Sequence, residues 1–190
     1  MINLLALHKF WFGSIEINDA YYQSKVPLWF LGPDTHFDRA CRDNFAPWLE
    51  QLVISGDDYF ANALNSPEPL LAAQRYVATV ILFDQIPRNA FRGQARAFAY
   101  DHIALQLCLA ALGTELETRL SYPERLFLYL PLEHAEDLRL QDLSVQTFEA
   151  LHANAPAPIV RWTQLALDKA IEHRNTIATH GCFPHRRQIA

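Results

Sequence analysis

The chain has 190 residues, 51% of them hydrophobic and 19% charged, with a net charge of -5 at pH 7; one domain with a sizeable core fits this, and disorder is excluded. The acidic balance argues against nonspecific nucleic-acid binding, which needs a basic face, and no apolar run approaches the roughly 18 residues of a membrane span. With 27 Leu and 25 Ala against 6 Val and 6 Gly, the composition favours helix over sheet, and the scattered glycines form no phosphate-cradling loop.

Met1 to Phe12 is apolar but has neither a positive leader nor a small-residue cleavage site, so it reads as part of the fold and a cytoplasmic location is expected. Pro33 and Asp34 open a helical block running to about Ile54, in which Phe37, Cys41, Phe45, Trp48, Leu49 and Leu52 recur at three- and four-residue steps; Gly56-Asp57-Asp58 ends it. Ser66-Pro67-Glu68 reads as cap, first helical proline and first-turn acid of a helix apolar nearly all round, which belongs at the centre of the core. Pro87 is expected to end or kink it. A further helix spans about Gln94 to Leu112, closed by Gly113. Ser121 and Glu124 have capping-box spacing and start a helix to Leu130, interrupted by Pro131. The apolar pattern resumes from Leu132 to about His152, Ala155-Pro156-Ala157-Pro158 is a linker, and a last helix runs from about Ile159 to His180, ended by Gly181. Strand-like alternation is absent, so the expected architecture is one all-α domain of seven or eight helices.

Three segments concentrate the polar chemistry. The first, Leu82 to Gly93, puts Asp84, Gln85, Arg88, Asn89 and Arg92 at the end of the most apolar helix. Asp84 is placed to pair with Arg88, and Arg88, Arg92 and Arg96 form one cationic ridge if the helix continues. The second, Tyr129 to Gln141, carries Glu133, His134 and Asp137; the acids and Gln141 are spaced for one helical face, and a His flanked by acids is a candidate proton carrier. The third holds His173, Arg174, His180, His185, Arg186 and Arg187, the basic end of an acidic chain, and it neutralises the second if it folds back on it. Of 16 basic residues 13 are Arg, the bidentate cation suited to fixed ion pairs and anions. Nucleophile motifs are lacking. Cys41, Cys108 and Cys182 are isolated and read as buried hydrophobes, and no metal site or cofactor motif is present.

Together these segments resemble the bacterial DUF924 proteins. The resemblance rests on Phe10-Trp11-Phe12-Gly13, Asp84-Gln85-Ile86-Pro87-Arg88-Asn89 with Arg92, Ala97-Phe98-Ala99 with Asp101, Tyr129-Leu130-Pro131-Leu132-Glu133-His134 with Glu136-Asp137, Gln141, His173-Arg174 and Phe183-Pro184-His185-Arg186. It spans nearly the whole chain and implies an all-helical fold similar to tetratricopeptide-repeat arrays, without an activity. Two departures stand out: Ala135 replaces a serine usual in the family, and His180-Gly181-Cys182-Phe183-Pro184-His185-Arg186-Arg187 stands where the family has Phe-Gly-Arg-Phe-Pro-His-Arg-Asn.

Three functional readings follow. The first is a helical module binding a small anionic ligand or an acidic peptide, with neither nucleic acid nor membrane as partner. Its ligand contacts come from Asp84, Gln85, Arg88, Asn89, Arg92, Asp101, Tyr129, Gln141, His173, His185 and Arg186, beside Glu133 and His134. The second is a hydrolase or lyase with His134 as general acid/base, Glu133 or Asp137 orienting it and Arg88 clamping an anion. In the third, the same residues are a structural ion-pair network.

Overall fold

The computed structural model describes residues 2–52, 62 and 65–188; the expected block end at Ile54 and the Gly56-Asp57-Asp58 stop lie outside them. Among the described residues the chain is all-helical, with nine α-helices and no strand. Side-chain caps start the first three. Asn3 accepts from the Ala6 amide before α1 (Leu4–Phe12), Asn18 from Tyr21 before α2 (Asp19–Phe30), and Asp34 from His36 and Phe37 before α3 (Thr35–Ala40). The last winds on through a π turn at Cys41–Phe45 and a 3-10 turn at Ala46–Trp48.

The central helix is α4 (Pro69–Ala90), buried on every side from Tyr76 to Pro87. It starts at Pro69 instead of Pro67, with Ser66 accepting from the Glu68 amide just ahead of it. It packs against α1, α3, α5 (Asp101–Ala111) and α7 (Tyr122–Glu133). Each of its fully buried Val, Ile, Leu or Phe side chains contributes about 1.5–3 kcal/mol, which fixes the position of whatever its C-terminal turn carries.

Pro87 was expected to end or kink its helix and Pro131 to interrupt its own, and neither stops its helix. α4 runs through Pro87 to Ala90, and α7 through Pro131 to Glu133. Each proline removes one amide, the usual donor to the carbonyl four residues back, but it falls in the final turn, so little helix beyond it is disturbed. Side chains add bonds to nearby carbonyls: Arg88 and Asn89 donate to those of Asp84 and Gln85, and Gln141 Nε2 to those of Glu133 and Ala135 at 2.7 and 2.8 Å.

The stretch expected as one helix from Gln94 divides into a 3-10 turn (Ala95–Phe98) and α5. Then come α6 (Glu115–Thr118), a short turn no periodicity marks, and α7, which opens with the expected Ser121/Glu124 capping box. α8 (Leu138–Ala153) and α9 (Val160–His180) pack on each other across the proline linker, tied by an Arg174–Asp142 ion pair at 2.9 Å. Gly181 ends α9 with φ +67°, where a side chain would be strained, and a 3-10 turn (Pro184–Gln188) follows. All three cysteines are buried and unbridged, and burial pushes the Cys41 thiol up to about 12. No helix among the described residues is long and apolar enough to cross a membrane.

Candidate functional site

The last turn of α4 presents Asp84, fully buried, to three partners. His134 Nδ1 lies 2.7 Å from Oδ1, Gln85 donates to Oδ2 at 2.6 Å, and Arg88 Nη1 stands 3.3 Å from Oδ1. Burial by itself would raise the Asp84 pKa, but the Arg88 and His134 charges and these hydrogen bonds hold it well below the usual carboxylate range. Asp84 is therefore a fixed anion. Arg88 forms its main ion pair elsewhere, a fork onto both oxygens of Asp101 at 2.7 and 3.0 Å.

The expected Arg88, Arg92, Arg96 ridge does not form, because the helix ends at Ala90 and the later two arginines leave its axis. Arg92 makes a two-bond fork with Asp38 of α3, and Arg96 pairs with Glu50 and lies over the Phe91 ring. Nor do Glu133, Asp137 and Gln141 share a helical face: Glu133 ends α7, while Asp137 caps α8 by accepting from the Arg139 and Leu140 amides. The residue that orients His134 is Asp84, not Glu133 or Asp137. Tyr129 points away, donating to Glu117 on α6.

With Nδ1 committed to a carboxylate, His134 Nε2 is left without a hydrogen-bond partner among the described residues. Glu133, 2% exposed, is in a similar state. His173 Nδ1 approaches its Oε2 to 3.1 Å, but at an angle that makes no hydrogen bond, so this nitrogen is a buried orphan and the Glu133 carboxylate accepts no hydrogen bond among the described residues.

The C-terminal segment folds back onto this turn, the arrangement in which its charges meet those of the second segment. The Phe183 amide donates to Glu136 at 2.9 Å, and Arg186 Nη2 donates to the His134 carbonyl at 3.1 Å and stands 3.2 Å from Asp101. Its guanidinium lies between the rings of Phe98 and Phe183, centroids at 4.6 and 4.8 Å, and its buried Nε has no partner. His185, beside Phe98 and Phe183, has its pKa lowered by partial burial and by the neighbouring Arg186.

Two cavities share wall residues here. A cleft of about 390 Å³ is walled by Arg88, Arg92, Arg186, His134, His173 and His185, with no acidic residue in its lining. The second, about 270 Å³, lies between α2, α7 and α9, and apart from Glu133, His134, Lys169 and His173 its wall is aromatic and aliphatic. His134 and His173 line both. Of the sequence candidates, Asp84, Gln85, Asn89, Asp101 and Gln141 form the layer behind these walls, and no group of three or more His, Cys, Asp or Glu is placed to hold a metal ion among the described residues. Sequence reasoning missed Asp38, 54 residues from its partner Arg92, and the apolar cavity itself. No local pattern encodes either, since each is made by helices far apart in the chain.

A family model described as a bacterial protein of unknown function (DUF924) matches residues 7–190. Among solved structures the chain is similar to the protein of unknown function ATU0120 from Agrobacterium tumefaciens, with 24% identity and a TM-score of 0.61 over 97% of this chain and 94% of that one. No curated protein matches.

Proposed function

The chain belongs to the DUF924 family of bacterial proteins of unknown function, so no activity comes with its fold, and we propose from the site itself that it binds a small organic anion in the cationic cleft. The observation that carries this reading is the cleft lining, three arginines and three histidines with their counter-carboxylates behind the wall. Arg88 and Arg92 each commit one edge of the guanidinium to an aspartate fork, whereas Arg186 makes no such fork and shares Asp101 with Arg88. Arg186 is the cleft arginine without an aspartate of its own. The cleft volume falls within the roughly 300–1,000 Å³ common for small-ligand sites.

Calorimetric titration with acetate, benzoate and inorganic phosphate tests the proposal. At least one anion binds the parent protein, binds at least about tenfold more weakly to Arg186→Gln, and binds unchanged to Arg96→Gln, whose guanidinium is outside the cleft. Equal affinities in parent and Arg186→Gln, or no binding at all, overturn it.

One observation favours a second reading, an enzyme. A buried ionised carboxylate on His134 Nδ1, with Nε2 unbonded on a residue that lines both cavities, is how an imidazole is prepared as a general base. In this reading Asp84 is the positioning residue and His134 the catalytic one. A substrate screen decides: any hydrolytic or lyase activity that His134→Asn retains in full is not carried by this pair.

A further inference from the structure

We infer that the two cavities are halves of one site whose ligand is an organic acid with an aromatic or branched aliphatic body and a hydrogen-bond donor beside the acid group, the order of groups in a hydrophobic α-amino or α-hydroxy acid. This rests on the anion-binding reading of the cleft and extends it.

Three features select the three parts of the ligand. The cationic cleft takes the carboxylate. The apolar cavity takes the body: an apolar cavity of about 150 Å³ is enough for benzene, and this one, at about 270 Å³, has Trp29, Trp162, Tyr22 and Leu130 in its wall. The donor is selected by Glu133. Glu133 lines this cavity with its side chain 3% exposed, and beyond the His173 ion pair at 3.1 Å its carboxylate accepts no hydrogen bond among the described residues. An ammonium or hydroxyl group arriving there supplies a donor to it. His134 and His173, with ring centroids 6.4 Å apart, line both cavities, so the ligand's acid group and body meet between them. His134 Nε2, which makes no hydrogen bond among the described residues, is a further polar atom on a residue that lines both cavities.

The test compares L-phenylalanine, 3-phenyllactate, 3-phenylpropionate and phenethylamine by calorimetry on the full chain, with acetate alongside. The amino acid or the hydroxy acid binds at least about tenfold tighter than phenylpropionate, which lacks the donor, and than phenethylamine, which lacks the acid. Glu133→Gln reduces the advantage of phenylalanine over phenylpropionate at least about tenfold. Leu165→Trp, which fills the apolar cavity from α9, weakens the aromatic ligands and leaves acetate unchanged. Should phenylpropionate match both donor-bearing acids in the parent protein, a comparison that needs no variant to fold, the inference is overturned. Acetate binding that depends on Arg186 while the phenyl group adds nothing sinks this inference and leaves the anion site standing; absence of any anion binding sinks both.

Discussion

Two histidine–carboxylate pairs hold this molecule together, and they have opposite surroundings. His8 on α1 meets Glu124 on α7 at 2.6 Å, and His134 meets Asp84 at 2.7 Å; both carboxylates are buried and both have depressed pKa values. Glu124 is also held by the Ser121 amide and hydroxyl of the capping box, and His8 is only 8% exposed. That pair is a clasp between helices. The second has the same chemistry, but its histidine lines two cavities and keeps one nitrogen unbonded. An acid beside a histidine is therefore no mark of a site; what marks one is unused bonding capacity facing an accessible cavity.

The comparison is broken or sharpened by four measurements. Asp84→Asn has the largest effect: Arg88 and His134 lose their shared buried anion, and chemical denaturation shows a loss of about 3–5 kcal/mol. Glu124→Gln costs about 1–3 kcal/mol but leaves the affinity of the parent protein for its best anion unchanged; a drop in that affinity would erase the distinction between clasp and site. His134→Asn costs less than about 1.5 kcal/mol, because its side chain is 15% exposed where the Asp84 carboxylate is 1% exposed, yet weakens anion binding by titration. The smallest signal is in the shape of the acid limb. Asp84 and Glu124 have folded pKa values below their unfolded ones, about 3.9 and 4.3, so their stabilisation is complete above those values and is lost as the pH falls through and below them. Unfolding followed from pH 6 to pH 2 has a shallower limb in Asp84→Asn and in Glu124→Gln than in the parent.

Much of the frame was legible because it is written locally. The Ser121/Glu124 box, the Asp34 cap and Gly181 after α9 each need only residues within one turn. Pro87 and Pro131 misled for a reason equally physical: a proline in a last turn forfeits one hydrogen bond and leaves almost no helix beyond it to disrupt. At the site, the residue types and segments were readable and the pairings were not. Asp84 does approach Arg88 at helical spacing, but its decisive partner is 50 residues away, and the acid that forks Arg88 is Asp101. Unsatisfied buried atoms such as His173 Nδ1 and Arg186 Nε are properties of packing and leave no trace in composition or period.

The back-folded C-terminal segment also bears on how the molecule is assembled. The Arg88–Asp101 fork closes a loop of only 13 residues, while the His134–Asp84 and Arg186–His134 contacts bridge separations of 50 and 52. Closure entropy rises by about 0.6 kcal/mol for each doubling of a loop, so the fork is the cheaper contact to form early and the cleft's last wall docks onto a nearly finished core. Substitutions in that wall therefore speed unfolding and leave the folding rate nearly unchanged.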